Sequence, residues 1–214
     1  MKIAGVVAAA GLSSRMGAFK PLLPYEGSSV IESTVNLLRK SGADHIFVIV
    51  GHHAEEIETL FVTAADVTCI RNKSYETSDM FASVRIGLQA AAEYDYIFFL
   101  PGDMPAVDEN VCRELFAFIR KDCALWGRPI KDGRGQHPVI LSRAAAACVM
   151  EYQGDGGLRG ALRSLPAPPL EMAVEDLGCT IDIDTPDEYC FLLRYTAEKK
   201  VRQKSAPVSC IHFV

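Results

Sequence analysis

The sequence predicts an α/β fold: a mostly parallel, doubly wound sheet with helices on both faces, in three α/β/α layers. Three observations carry that expectation. The chain opens on an apolar run rich in Val, Ala and Ile, of a length that suits one buried parallel strand. Strand-like and helix-like segments then trade places along the chain in βαβα order. Two of the strand-like runs, "HIFVIV" and "YIFFL", are apolar almost throughout, as strands covered on both faces are.

Each element has its own signal. "VVAAAGLSSRMGAFK", Val6 to Lys20, is a strand that ends in a small-residue turn presenting Arg15 and Lys20. "SSVIESTVNLLRKSG" pairs Ser29 with Glu32 three residues on and stops at Gly42, which predicts a capped helix. "HIFVIVG" predicts a buried strand ending at Gly51, "AEEIETLF" a short helix and "VTCIR" a strand. "MFASVRIGLQAAA", Met80 to Ala92, has helical spacing, and "YIFFL" is a strand followed by "PGDMP" and a helix through "VCRELFAFIRK", with Asp108 as its cap. "WGRPIKDGRGQHPVIL" predicts two strands around a Gly-rich turn, and Pro186 to Lys200 a closing helix begun by proline. Residues 1–200 are expected to form one domain, followed by a C-terminal tail over 201–214 with no periodicity.

A chain of 214 residues with 49% hydrophobic content can bury a full core. A net charge of −5 gives no global basic field to attract nucleic acid or an anionic membrane, so any anion site must be local. Seven scattered cysteines form no C-x-x-C pair and no zinc-spaced cluster with histidine; they predict reduced thiols and a reducing compartment. Lys2 and the apolar run before "AAA" mimic a signal peptide, but the run lacks a leucine-rich centre. A cytoplasmic protein, monomeric or weakly oligomeric, is expected.

In an open parallel sheet, ligands sit at the carboxyl ends of the strands. Three unusual stretches fall there: "AAGLSSRMGAFK", "GHH" and "PGDMP". The first is neither a dinucleotide fingerprint nor a P-loop, yet Ala8, Ala9, Ala10 and Gly11 let backbone N–H groups approach a ligand. Arg15 and Lys20 supply positive charge for a polyphosphate; two solvated cations on a turn are the alternative. Gly102 and Asp103 stand between Pro101 and Pro105, a stiffened loop that offers a carboxylate to a hard cation such as Mg²⁺. Asp182 and Asp184, two apart on an extended segment, share a face, and one of them could supply a second carboxylate. Asp184 or Thr185 could instead cap the last helix. His52 and His53 either face a nucleoside or lie on the surface.

Together "VVAAAGLSSRMGAFKPLLPYEG", "FFLPGDMP", "GQHPVIL", "GDGGLRGAL" and "DIDTPDEY", in this order, resemble the nucleotidyltransferases that attach a nucleotide to molybdopterin, and most of all their cytidylyltransferase branch. The resemblance runs from about Ile3 to Leu193. It implies a Rossmann-like nucleotidyltransferase fold, CTP and molybdopterin as substrates, Mg²⁺ as cofactor, and a molybdenum hydroxylase apoenzyme as a recipient partner. Ala8, Ala9, Ala10 and Gly11 match the segment that meets the nucleotide, with Gly51 and Gly102 beside it. Arg15 and Lys20 match its phosphate ligands. Asp103 matches its magnesium carboxylate, with Asp184 taken as the second metal ligand and Asp182 as the alternative.

Later motifs place the acceptor near His137, Asp155, Gly156, Gly157 and Arg159. Guanine-using members tend to show a glycine pair where this chain has Ala9 and Ala10, which favours cytosine. The chain departs from the family in "NKSYETSDM", where Asn72 and Lys73 replace Asn-Pro and Asp79 precedes Met80. Two other readings share the same residues: a nucleotidyltransferase for GTP or for a sugar or polyol phosphate, and a non-catalytic protein that delivers cofactor.

Overall fold

The computed structural model describes residues 1–205; positions 206–214 of the expected tail lie outside the described residues. Strand β1 (Ile3–Ala9) is followed by a hairpin of β2 (Pro24–Tyr25) and β3 (Ser28–Ser29), helix α1 (Val30–Lys40), β4 (His45–Val50), α2 (Ala54–Phe61), β5 (Val67–Arg71), α3 (Met80–Ala90) and β6 (Tyr96–Pro101). Then come α4 (Glu109–Lys121), β7 (Trp126–Lys131), β8 (Arg134–Gly135), β9 (Val139–Ser142), α5 (Arg143–Glu151), α6 (Gly157–Arg163), β10 (Leu170–Ala173) and α7 (Pro186–Ser205).

The main sheet has eight strands in the order β10-β7-β9-β6-β1-β4-β5, with β8 paired to β7. β1 lies parallel between β4 and β6, in register Val6 with Phe47 and with Phe99. β9 runs antiparallel to both β6 and β7. The Gly-rich turn of the sequence is therefore a short β7–β8 hairpin, and the reversed strand β9 begins separately after it. β10, α5 and α6 carry no signal that the sequence periodicity resolved.

Two apolar layers flank the sheet. One joins Val7, Val48, Phe98 and Leu100 to Val35 and Leu38 of α1, Ile57 of α2 and Leu115 of α4. The other joins Val6, Ile49 and Phe99 to Val84 and Leu88 of α3, Val149 of α5 and Ala161 of α6. Each fully buried Leu, Ile or Phe contributes about 1.5–3 kcal/mol of transfer free energy. α1 begins as its sequence predicts: the Ser29 side chain accepts from Glu32 N, and the Glu32 carboxylate accepts from Ser29 N at 2.9 Å. Asp108 caps α4 by accepting from Asn110 N.

α7 docks through a small third cluster in which Leu192 meets Ile181 and Ile183. Lys199 fastens it, its Nζ lying 2.9 Å from Asp108 and 2.5 Å from Asp176. Asp176 also accepts from Tyr195 Oη and Gly178 N. The helix continues past Lys200 to Ser205. Among the described residues, no helix is long and apolar enough to cross a membrane.

Candidate active site

β1 is the point where the strand order reverses: the chain winds out through β4 and β5, and α3 then carries it back across β1 to β6. A ligand crevice belongs at the carboxyl end of such a switch. There the ends of β1, β5 and β6 enclose a pocket of about 350 Å³, lined by Ala8–Gly11, Asn72, Tyr75, Asp79 and Gly102. Gly102 makes the strand ends meet. Its N–H donates to Ala8 O at 2.9 Å, and a Cβ there would stand 3.0 Å from both Ala8 O and Ala9 Cβ.

A charge centre stands in the pocket. Lys20 Nζ donates to Asp103 Oδ2 at 2.7 Å and to Asp184 Oδ1 at 2.8 Å, and Arg15 Nη2 lies 2.7 Å from Asp184 Oδ2. The Lys20 side chain is 14% exposed and that of Arg15 72%, so one cation is fixed and the other free to swing. Ser13, held at positive φ, fixes the start of the Lys20 turn by accepting its backbone N–H at 3.2 Å. Burial alone would lower the Lys20 pKa, but Asp103 and Asp184 outweigh it and hold it above the ordinary lysine value. The hydrogen bond from Lys20, with the charges of Lys20 and Arg15, holds Asp184 below the usual carboxylate range.

The Asp182–Asp184 pair has the predicted geometry. Ile181 and Ile183 are buried, so the two aspartates share the opposite face. Asp184, not Asp182, receives Lys20 and Arg15. Desolvation, together with the charges of Asp103, Asp184 and Glu188, pushes the Asp182 pKa up. The helix-capping role falls to Thr185, whose Oγ1 accepts from Glu188 N at 3.4 Å while Glu188 accepts from Thr185 N at 2.8 Å. That leaves the Asp184 carboxylate to the cleft.

Asp103 and Asp184 are hard oxygen donors within reach of one ammonium group. Among the described residues there is no cluster of three or more His, Cys, Asp or Glu that could hold a metal. The donor set therefore fits an ion such as Mg²⁺, which binds through one or two carboxylates plus substrate oxygens, and not a resident metal cage.

Beyond the charge centre lies a second, larger cleft of about 1620 Å³, lined by Arg128, Lys131, His137, Arg159 and Arg163. The two spaces share Met80, Pro101, Asp103 and Asp184. His137 stands edge-on to Phe99 at 5.4 Å between ring centroids, and its buried Nδ1 has no hydrogen-bond partner. Burial pushes its pKa down to about 4, so the imidazole is neutral at physiological pH.

The structure separates some residues that the sequence groups together. Asp155, Gly156 and Gly157 do not line either space; they form the turn that starts α6, where Tyr152 Oη donates to Asp155 O at 2.8 Å. Gly51, His52 and His53 also stand back from the pocket. His53 Nδ1 lies 2.5 Å from Glu56 Oε1, and both histidine rings pack on Phe19. Asp79 caps α3 by accepting from Ala82 N at 3.0 Å.

Ser13, Asn72, Tyr75, Ser78 and Ser83 line the pocket without having been expected. The strand-end rule, applied to "VTCIR" as to the other strands, points to the segment after β5 that holds three of them. Asn72 is buried and saturated: its Nδ2 donates to Ser78 and Ser83 at 3.0 Å each, and its Oδ1 accepts from Ser74 N. Both of its amide protons are thus spent on shaping the loop.

Two spaces that share two carboxylates, both paired to one lysine, suit group transfer between anions, and on this sheet that defines the class of the nucleotidyltransferases. The model of the MobA-like NTP transferase domain matches residues 5–170, and the chain belongs to that family. The molybdenum cofactor cytidylyltransferase of Escherichia coli (strain K12) is 27% identical over 86% of this chain and 92% of its own length. The molybdenum cofactor guanylyltransferase of Xanthomonas euvesicatoria pv. vesicatoria is 25% identical over 88% and 93%. Among solved structures, Rv0371c of Mycobacterium tuberculosis H37Rv is 26% identical and superposes with a TM-score of 0.76 over 91% of this chain and 98% of its own. Its complex with manganese gives 0.71 over 91% and 99%. The expected Rossmann-like α/β nucleotidyltransferase fold is the one found.

Proposed function

We propose that this enzyme transfers CMP from CTP to the terminal phosphate of molybdopterin, releasing pyrophosphate and molybdopterin cytosine dinucleotide, with Mg²⁺ held by Asp103 and Asp184. The observation that carries this reading is that those two carboxylates border both substrate spaces at once. CTP lies in the smaller pocket with its triphosphate toward Arg15 and Lys20. The acceptor enters the larger cleft past His137 and Arg159, whose neighbours Arg128, Lys131 and Arg163 favour an anion.

The chain's own groups have a defined task. Two anions must be brought in line, and Lys20 and Arg15 can exchange their carboxylate partners for phosphate oxygens as the nucleotide binds. Lys20 stays cationic, so it meets developing charge without a proton transfer. Neutral His137 can orient the acceptor through hydrogen bonds without adding charge. The metal, when bound, neutralises phosphate oxygens and stabilises departing pyrophosphate. No general base is required, because the attacking phosphate is already ionised.

Ala9 and Ala10 before Gly11, and the likeness to a cytidylyltransferase, support cytosine. Residues 1–205, with the closing helix carried past the boundary expected at 200, act as one domain in the cytoplasm, as a monomer or weak oligomer, and the product passes to a molybdenum hydroxylase apoenzyme. The test is pyrophosphate release from CTP, GTP, ATP and UTP with Mg²⁺, each with and without molybdopterin. Release from CTP that requires molybdopterin is expected. Release from GTP alone moves the protein to guanylyl transfer, and silence with all four removes molybdopterin as acceptor.

A further inference from the structure

Four charged groups of the nucleotide pocket form one ion-paired cluster: Arg15 lies 2.7 Å from Asp184, and Lys20 lies 2.7 Å from Asp103 and 2.8 Å from Asp184. The loop after β5 supplies another part of the lining; its Asp79 caps α3, and its Tyr75 is the sole aromatic side chain among the described residues that line this pocket. A base needs such a face: every nucleobase has a π surface, and stacking on an aromatic ring is tolerant of base identity.

Tyr75 is held in place from three sides. Its backbone N–H donates to Asn72 O at 3.3 Å, and Asn72 N in turn donates to Val50 O at 2.8 Å, which fixes the loop to the end of β4. The Asn72 side chain ties the same loop to Ser78 and Ser83. Underneath lies Gly51. A Cβ on Gly51 would stand 2.6 Å from Tyr75 Cβ, 2.7 Å from its Cγ and 2.7 Å from Ala10 O. Only a residue without a side chain lets Tyr75 settle against the end of β1. The Tyr75 hydroxyl donates to Glu76 at 3.3 Å, so the polar end is engaged at the exposed rim.

We infer that Tyr75 is the stacking face for the nucleoside of the substrate, and that Gly51 serves the nucleotide indirectly, by making the seat on which Tyr75 rests. This rests on the nucleotidyltransferase reading above and assigns one wall of its pocket. It also gives Gly51 a role that its absence from the pocket lining does not suggest.

The experiment is equilibrium titration calorimetry with Mg·CTP and with Mg·tripolyphosphate, a ligand that has the phosphates and no base. Wild type, Tyr75→Phe, Tyr75→Ala and Gly51→Ala are compared, with circular dichroism to confirm that each is folded. Tyr75→Phe is expected to bind CTP as wild type does. Tyr75→Ala and Gly51→Ala should weaken CTP at least tenfold and tripolyphosphate less than twofold. An equal loss for both ligands, or no loss for CTP in Tyr75→Ala, overturns the inference. Should Gly51→Ala not fold, the Phe and Ala variants of Tyr75 decide it alone. Wild type that binds no nucleotide at all instead overturns the nucleotidyltransferase reading, so the two failures are distinct.

Discussion

Replacing Asp103 with asparagine keeps its shape and removes its charge. Asp103→Asn is expected to lower kcat by at least about 100-fold with an unchanged melting temperature, read from steady-state pyrophosphate release and a thermal scan. Lys20→Ala acts differently, because Lys20 neutralises two carboxylates and, in the proposed reaction, also serves the triphosphate. It should cost roughly 2–3 kcal/mol in kcat/KM. In nucleotide-free protein it should tighten binding of Mn²⁺, counted by electron paramagnetic resonance, since the ammonium no longer competes for Asp103 and Asp184. Metal affinity unchanged by the substitution would show that Lys20 does not compete. At this scale the sequence named Arg15, Lys20 and Asp103 because strand-end position and residue chemistry coincide there, and it offered Asp184 together with Asp182 because the two share a face. It did not name Tyr75, whose role depends on an approach to Gly51 across 24 positions of sequence.

Among elements, α7 is joined to the rest by a charged pin. Burial pushes Asp108 and Asp176 upward, but Lys199 outweighs it and holds both below the ordinary carboxylate range. Carboxyls with depressed folded pKa values stabilise the fold above their unfolded pKa, and that stability is lost as pH falls through the folded value. Lys199→Met should therefore cost about 1–3 kcal/mol near neutral pH and progressively less below about pH 4, measured by urea unfolding across pH. An equal loss at pH 3 and pH 7 would mean that packing, not charge, is what Lys199 supplies. α1 and α4 were legible because each combines a 3.6-residue apolar period with a cap, and α2 and α3 from helical spacing between strand-like runs alone. β8 and β10 were not, since two to four residues carry no period, and β9 was legible as a strand but not in its direction, which depends on partners far away in sequence.

Taken whole, the molecule draws its charge centre from the turn after β1, the end of β6 and the segment before α7, and the pocket adds the loop after β5. A ligand that bridges these segments opposes global unfolding. Mg·CTP at about 100 times its dissociation constant should raise stability by about 2.7 kcal/mol, seen as a higher calorimetric melting temperature; Mg²⁺ alone at the same concentration should do much less. An equal shift with Mg²⁺ alone would argue for a metal site independent of nucleotide. The layer order was legible from alternation alone, because parallel neighbours need crossover helices on both faces.

One consequence follows from where Asp184 falls. A growing chain carries every strand of the sheet by Ala173, with Lys20 and Asp103 already among them, yet Asp184 is not made until later. During synthesis the scaffold of the sheet is thus complete before its charge centre, and the cation grip proposed for Asp103 with Asp184 comes only after every strand has been made.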